Sequence, residues 1–299
     1  MSALRIPWLV VLFAARAVMA APTSGWVIRE EGDLLVVHAP EVAAGSLLVV
    51  EVATERHGPP PAAVWQGQVF SGHPVGDRWH VLLPVALSLE PASYEIVVRW
   101  GAEELLSGVR VVAGTYPSSS LRVDPKFAGA APPRVDEERE HIRAALSRRS
   151  EQRFWDEPFT LPVDNRVTSP FGARRTFNGA LKSQHRGIDI DGARGDEVRA
   201  ANRGVVVLVA RDFYYIGSAV LIDHGDGIVS VYFHLSSVDV QEGQTIERGA
   251  RVGAIGSSGR ATGPHLHFGI QIDGTYIDPQ ALLAYQPSLL LSEMLSTSR

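Results

Sequence analysis

The chain contains no cysteine among its 299 residues. Disulfide bonds, cysteine-based zinc sites and thiol nucleophiles are therefore excluded. Any metal ion must be held by histidine, aspartate or glutamate side chains. Positive charge is also scarce, because 28 Lys and Arg residues stand against 33 Asp and Glu residues and give a net charge of −5. This balance disfavours nucleic acid as a partner, since binding to nucleic acid needs a basic surface.

Long hydrophobic runs are scarce as well, and the longest one lies at the N-terminus. Arg5 precedes the apolar stretch Ile6–Ala15, and the small residues Val18–Ala21 follow it as a cleavage site would. The stretch is shorter than the about 20 apolar residues that a transmembrane helix needs. We therefore expect a signal peptide at 1–20 and an exported, periplasmic protein with no membrane span after cleavage. The alternative is a buried N-terminal helix.

The rest of the composition indicates a folded chain of two domains. Hydrophobic residues make up 45% of the sequence and charged residues 20%, so a full-sized core can form. From residue 25 to 113, short runs such as Trp79–Leu83 alternate apolar and polar residues, and turns such as Gly58–Pro61 separate them. This pattern predicts an N-terminal antiparallel β-sandwich domain, with an irregular β meander as the alternative.

A connector and a second all-β domain follow the predicted sandwich. We expect a linker at 114–158 with a helix at 136–153, because acidic residues crowd its start and arginines its end. From residue 159 to 284, glycine is frequent and β-branched runs recur without long helical periodicity. Residues 285–299 form a C-terminal tail. The overall fold class is thus all-β with one linker helix.

The stretch from Gln184 to Asp189 offers a first pair of metal-ligating side chains. In a straight strand, His185 and Asp189 would be separated by about 13 Å, which is too far for one ion. A bend at Gly187 would bring them together. Taken alone, however, an exposed histidine near a solvated aspartate is the commoner explanation of such a pair.

Two further sites carry histidines in strand-like surroundings. His265 and His267 are two residues apart, so on a strand both point to one face while Leu266 points to the other. Two imidazoles on one face form a recurrent metal site, although a chance pair is about equally common. His234 ends an apolar strand, and a single histidine in that position is usually structural.

Six segments of the C-terminal half resemble one protein family in order and spacing. These are Ser169–Gly172, His185–Asp189, Ile222–Gly225, Tyr232–Ser236, Gly263–Phe268 and Ile277–Pro279. Together they make the region at about 159–284 similar to the lysostaphin-like, LytM-type zinc metalloendopeptidases that hydrolyse peptidoglycan. The resemblance implies a C-terminal antiparallel β-sheet domain of the LytM type, which is like a duplicated hybrid motif.

The resemblance also implies a role for each of five residues. His185, Asp189 and His267 would bind one Zn²⁺ per chain, and His234 and His265 would be the catalytic histidines. Three protein ligands leave a position open for water, as in other catalytic zinc sites. We expect His265 to take the proton of the attacking water and His234 to stabilise the tetrahedral intermediate. The reverse assignment remains open.

The function expected from these observations is zinc-dependent hydrolysis of peptide cross-links in peptidoglycan, at the bond from D-alanine to meso-diaminopimelate. A glycine bridge is the alternative bond. Two different functions also stay open, namely a non-catalytic wall-binding regulator or amidase activator, and a zinc peptidase that acts on proteins. We expect structural turns at His224 and at Gly256–Gly259. Arg174, Arg175 and Asn178 fit a substrate groove and a structural turn equally well.

Overall fold

The computed structural model describes residues 26–30, 33–37, 41–54, 58–101, 103–127, 129–179 and 181–287. The expected signal peptide at 1–20 and most of the expected tail lie outside these ranges. His38 and His57, which show no ligand spacing in the sequence and are expected to be surface or packing residues, lie outside them too. Among the residues described, no helix is both long enough and apolar enough to cross a membrane.

The N-terminal half is a β-sandwich, as the alternating pattern predicted. Its ten strands are β1 (Trp26–Glu30), β2 (Asp33–Val37), β3 (Glu41–Ala43), β4 (Leu47–Ala53), β5 (Ala62–Trp65), β6 (Gln68–Ser71), β7 (His73–Val75), β8 (Arg78–Pro84), β9 (Ala92–Trp100) and β10 (Glu103–Val112). They form two five-stranded sheets, ordered β1-β2-β4-β8-β7 and β3-β10-β9-β5-β6. Every second side chain of β9 and β10 faces the core between the sheets, as expected for half-buried strands.

One strand of the sandwich departs from the antiparallel expectation. β3 runs parallel to β10. The chain then turns at Gly45, whose φ of +89° suits glycine, and enters β4 in the opposite sheet. A short crossing between the two sheets therefore replaces a hairpin at this point.

The connector contains a strand, a 3₁₀ turn and the predicted helix. These elements are β11 (Ser118–Leu121), the 3₁₀ turn Pro125–Phe127 and α1 (Arg134–Leu146). The helix is shorter than the expected 136–153 at its C-terminal end. The chain leaves the helix after Leu146, and the backbone N–H and hydroxyl of Ser150 then donate hydrogen bonds to Asp223 Oδ2 at 3.0 and 2.6 Å. This anchor fixes a non-helical path where the sequence suggested further helical turns.

The C-terminal half is almost entirely β structure, which confirms the predicted fold class. Its elements are β12 (Val167–Ser169), β13 (Arg174–Phe177), β14 (Leu181–Gln184), β15 (Ile188–Asp191), β16 (Glu197–Arg199), β17 (Gly204–Phe213), β18 (Gly217–Asp223), β19 (Ile228–Val238), β20 (Thr245–Ile246), β21 (Arg251–Ile255), β22 (His265–Ile272), β23 (Thr275–Ile277) and α2 (Pro279–Ala284). The main sheet has ten strands, with the central order β12-β15-β22-β19-β18-β17-β20. A smaller sheet contains β11, β13 and β14, and β11 runs parallel to β13.

The two halves share a buried contact that includes two histidines of the sandwich. The hydroxyl of Tyr285 lies 2.6 Å from His80 Nδ1 and 3.2 Å from His73 Nε2. Trp155 packs edge-on against His73, with 4.9 Å between the ring centroids. Burial lowers the pKa of His73 to about 3, so this ring is neutral at pH 7. These two histidines show no ligand spacing in the sequence, and the structure shows them as packing residues.

Tyr285→Phe is expected to lower the free energy of unfolding by about 1–3 kcal/mol, because two buried imidazoles would lose a shared hydrogen-bond partner. Urea unfolding followed by circular dichroism measures this change. Tyr94→Phe is the matched control, since the Tyr94 hydroxyl donates to Glu90 O at the exposed surface of the sandwich. The control should change stability by less than about 0.5 kcal/mol. Equal losses in the two variants would show that the interdomain hydroxyl has no special role.

Candidate metal centre and catalytic cleft

Three neighbouring strands bring the candidate site residues together. In the register of the main sheet, Asp189 on β15 lies opposite His267 on β22, and Asp191 lies opposite His265. On the other side of β22, His267 lies opposite Phe233 of β19. The carboxylate and the two histidines of β22 therefore meet at one region of the sheet, and the strand alternation had predicted the shared face of His265 and His267.

A bend before β15 adds His185 to this group. The bend falls at Gly187, and the strand begins at Ile188. A Cβ atom on residue 187 would lie 2.7 Å from His267 Nε2 and would collide with the carbonyl oxygen of Phe268. Glycine is therefore needed for a close approach between neighbouring chains at this point. The bend brings His185 Nε2 to 2.9 Å from Asp189 Oδ1, although the two residues are four apart.

Three ligand-type atoms form a compact triangle in this region. His267 Nδ1 lies 2.9 Å from His185 Nε2 and 3.0 Å from Asp189 Oδ1, and all three residues are buried. Ligand atoms around a tetrahedral zinc ion, with bonds of about 2.0–2.1 Å, are about 3.3 Å apart. The triangle thus has nearly the dimensions of one face of such a site.

The tautomer of His185 supports a shared cation. Its Nδ1 lies 2.9 Å from the carbonyl oxygen of Pro170, which can only accept a hydrogen bond, so Nδ1 carries the proton. Arg175 Nη2 is equally close to Nδ1, but it donates instead to Ser169 Oγ and Asp189 Oδ2. In the neutral ring, Nε2 is then an acceptor that faces a carboxylate oxygen. A cation bound between His185 Nε2 and the carboxylate oxygen would accept a lone pair from each.

The neighbouring groups favour the neutral imidazole and the charged carboxylate that a metal requires. Burial lowers the pKa of His267 to about 4, with an opposing effect from the hydrogen bond to Asp189. Arg175 pairs with the second carboxylate oxygen of Asp189 and so fixes its orientation. The sequence left the role of Arg175 open, and the structure places it against two of the three ligand-type residues.

His234 is positioned by an irregularity in β19. Val220 of β18 pairs with Tyr232 of β19, and Ser218 pairs with Leu235. Two residues of β18 are therefore matched by three residues of β19. His234 lies in this bulge with a φ of +65°, a conformation that is uncommon outside glycine. The bulge turns the imidazole toward the ring of His265, with 5.0 Å between their centroids.

The two candidate catalytic histidines have the same tautomer. His234 Nδ1 lies 2.8 Å from Ser258 O, and His265 Nδ1 lies 2.8 Å from Gly263 O. Both Nδ1 atoms therefore carry protons, and both Nε2 atoms are free to accept one. His265 Nε2 is 3.8 Å from Asp189 Oδ1, so it borders the ligand triangle. Burial is the main cause that lowers the pKa of His234 to about 3 and keeps this ring neutral.

A cleft of about 1670 Å³ opens over these residues. Its walls come from the sandwich, the connector helix α1 and the main sheet of the C-terminal half. Gln271 lies in this cleft on the same face of β22 as His265 and His267, and only 5% of its surface is exposed. Its Oε1 is buried and has no hydrogen-bond partner among the described residues. Gln271 was not predicted from the sequence, although its four-residue spacing from His267 places both side chains on one face of the strand.

Two features that we expected to be structural lie away from the triangle. His224 is fully buried, and its nitrogen atoms lie 2.7 Å from Arg203 O and 2.7 Å from Ser230 Oγ. The Gly256–Gly259 segment joins β21 to β22. The Ser258 hydroxyl receives a hydrogen bond from the Ser218 backbone N–H, which fixes the turn that presents Ser258 O to His234.

Curated proteins that resemble this chain match its C-terminal region. The DD-carboxypeptidase/endopeptidase Mpg of Neisseria meningitidis serogroup B is 38% identical over 127 residues, which are 42% of this chain and 29% of that protein. The peptidoglycan DD-endopeptidase ShyA of Vibrio cholerae is 39% identical over 116 residues, or 38% of this chain and 27% of that protein. The chain thus spans less than a third of the length of these relatives.

A solved structure matches most of this chain, and a family model matches its C-terminal region. A crystal structure from Pseudomonas aeruginosa, described as a peptidase M23, covers 82% of this chain and is itself covered to 96%. The two are 28% identical, with a TM-score of 0.65. The model of peptidase family M23 matches residues 183–279, a range that contains the ligand triangle and both further histidines. The C-terminal region of this chain is therefore a peptidase family M23 domain.

Proposed function

We propose that this protein is a zinc metalloendopeptidase that hydrolyses peptide cross-links in peptidoglycan. The observation that carries the proposal is the triangle of His185 Nε2, Asp189 Oδ1 and His267 Nδ1, with edges of 2.9–3.0 Å. Two neutral imidazoles and one carboxylate form a ligand set typical of catalytic zinc, which leaves a coordination position open. A zinc ion held there would polarise the scissile carbonyl and lower the pKa of the attacking water.

The protein's own groups would complete the reaction. His265 accepts the proton of the attacking water at its free Nε2, and His234 stabilises the charge that develops on the carbonyl oxygen. The Nδ1 hydrogen bonds to Gly263 O and Ser258 O hold both rings in place for this work. Because His234 Nε2 is unprotonated in the neutral ring, its role as a donor requires a proton gained during the reaction.

The substrate class is supported by the relatives. ShyA is named a peptidoglycan DD-endopeptidase, and it is similar to this chain over the M23 domain. We infer cleavage at the bond from D-alanine to meso-diaminopimelate. A signal peptide at 1–20 and action in the periplasm fit this substrate. We also retain the proposed division into a sandwich at 25–113, a linker at 114–158 and a peptidase domain at 159–284.

Digestion of defined cross-linked muropeptides tests the proposal. Zinc-loaded protein is expected to release monomers cleaved at the D-alanyl bond, identified by mass, and the protein treated with a chelator is expected to release none. Restoring zinc should restore cleavage. Zinc-independent binding of muropeptides without cleavage would instead support a wall-binding regulator or amidase activator. Cleavage of unfolded proteins in preference to muropeptides would support a general peptidase.

A further inference from the structure

Arg260 occupies a defined place in the catalytic cleft that none of the roles above explains. Its guanidinium carbon lies 4.4 Å from the ring centroid of Phe177 and 4.8 Å from that of Tyr215. Its backbone N–H donates to Tyr215 O at 2.9 Å. Contact with two aromatic rings restricts the motion of the guanidinium, so less conformational entropy would be lost when the side chain binds a ligand.

The position of Arg260 is tied to the catalytic residues by two links. The carbonyl of Ile216, next to Tyr215, accepts the backbone N–H of His234 at 3.0 Å. Phe177 lies on the same strand as Arg175, which pairs with Asp189. Arg260 also lines the same cleft as the ligand triangle.

The guanidinium of Arg260 lacks an acidic partner within the described part of the chain. Several other arginines of the cleft have one, whereas Arg148 and Arg186 also line the cleft without such a partner among the described residues. Arg143 pairs with Glu140, and Arg139 and Arg149 pair with Asp136 and Asp273 at 3.0 and 3.2 Å. The donors of Arg260 are thus left for a ligand, and a guanidinium recognises a carboxylate through two parallel hydrogen bonds.

We propose that Arg260 is a specificity-determining residue that binds a free carboxylate of the substrate peptide on the amine side of the scissile bond. The inference rests on the proposed function, because it concerns the substrate of the same site. In the proposed cross-link, the carbon that bears the scissile nitrogen also carries a free carboxylate. An arginine that lines the same cleft as the two histidines is placed to select peptides with that group.

The test compares two synthetic cross-linked peptides that differ only in that carboxylate, which is free in one and amidated in the other. The zinc-loaded full chain is expected to prefer the free carboxylate by about 10- to 100-fold in kcat/KM. In Arg260→Met, which keeps an apolar side chain against Phe177 and Tyr215, the preference should fall to within about 2-fold. The kcat/KM for the amidated peptide should stay within about 2-fold of wild type. Arg260→Lys is expected to keep part of the preference, since lysine retains the positive charge but lacks the planar guanidinium with its two parallel N–H donors.

Arg143→Met is the matched control, because Arg143 lines the cleft but pairs with Glu140. It should keep the full preference for the free carboxylate. Equal losses for both peptides in Arg260→Met would overturn the proposal and assign Arg260 a structural role. So would a wild-type protein that cleaves both peptides equally well, and this result would leave the proposed function standing. A wild-type protein that cleaves neither peptide would overturn the proposed function itself.

Discussion

Replacing His185, Asp189 or His267 with alanine is expected to remove bound zinc and to abolish peptide cleavage. Each substitution leaves two protein ligands where a catalytic site normally has three. It also opens the triangle, in which the three ligand atoms are within 3.0 Å of one another. Metal content after dialysis, measured by mass spectrometry, should fall from about one zinc per chain to a small fraction of that value.

The control for these variants is His141→Ala. His141 is an exposed histidine on α1 outside the triangle, so the variant should keep its zinc and its activity. Circular dichroism should show a native β spectrum in all the variants. A ligand variant that keeps about one zinc per chain after dialysis would refute the assignment of that residue.

Within the peptidase domain, local sequence patterns predicted parts of the geometry of the candidate site, whereas the roles of its residues were implied by the family resemblance. The alternation around Leu266 placed His265 and His267 on one face, and the structure shows Leu266 fully buried on the other. The bend needed between His185 and Asp189 falls at Gly187, the one residue of that stretch that lacks a Cβ atom. These patterns depend on a few adjacent residues, so they can be read without knowledge of the tertiary fold.

Features that depend on distant segments were not predictable in the same way. Ser118–Leu121 resembles a loop in sequence, yet it forms β11 because an edge of β13 is available to pair with it. His80 and Tyr285 are 205 residues apart, and nothing local indicates that they meet. The contact of Arg175 with Asp189 depends on how β13 lies beside the segment that carries His185 and Asp189. In each case the partner is supplied by tertiary packing, which a local sequence pattern does not encode.

The bulge at His234 is a separate case, because the sequence predicts a backbone conformation that the structure does not have. An apolar run such as Val229–Phe233 predicts a regular strand, and no glycine marks the position with φ of +65°. The cost of this conformation is of the order of 1 kcal/mol or more, and such strain is commonly found at functional sites. The bulge aims the imidazole at the cleft, which a regular strand would not do.

His234→Ala and His265→Ala are each expected to lower kcat by about 10²- to 10⁴-fold while zinc stays bound, because both side chains border the triangle without belonging to it. Metal content and steady-state kinetics on one cross-linked peptide measure the two effects separately. Loss of zinc together with activity would show that the residue is a ligand.

Glutamine substitutions separate the two roles. A glutamine amide can donate a hydrogen bond to an oxyanion, but it cannot take the proton of water. His265→Gln is therefore expected to be as inactive as His265→Ala, whereas His234→Gln should recover part of the activity that His234→Ala loses. The opposite pattern would exchange the roles of the two histidines. If neither glutamine variant recovers activity, both rings act through proton transfer, which is the role that their free Nε2 atoms already allow.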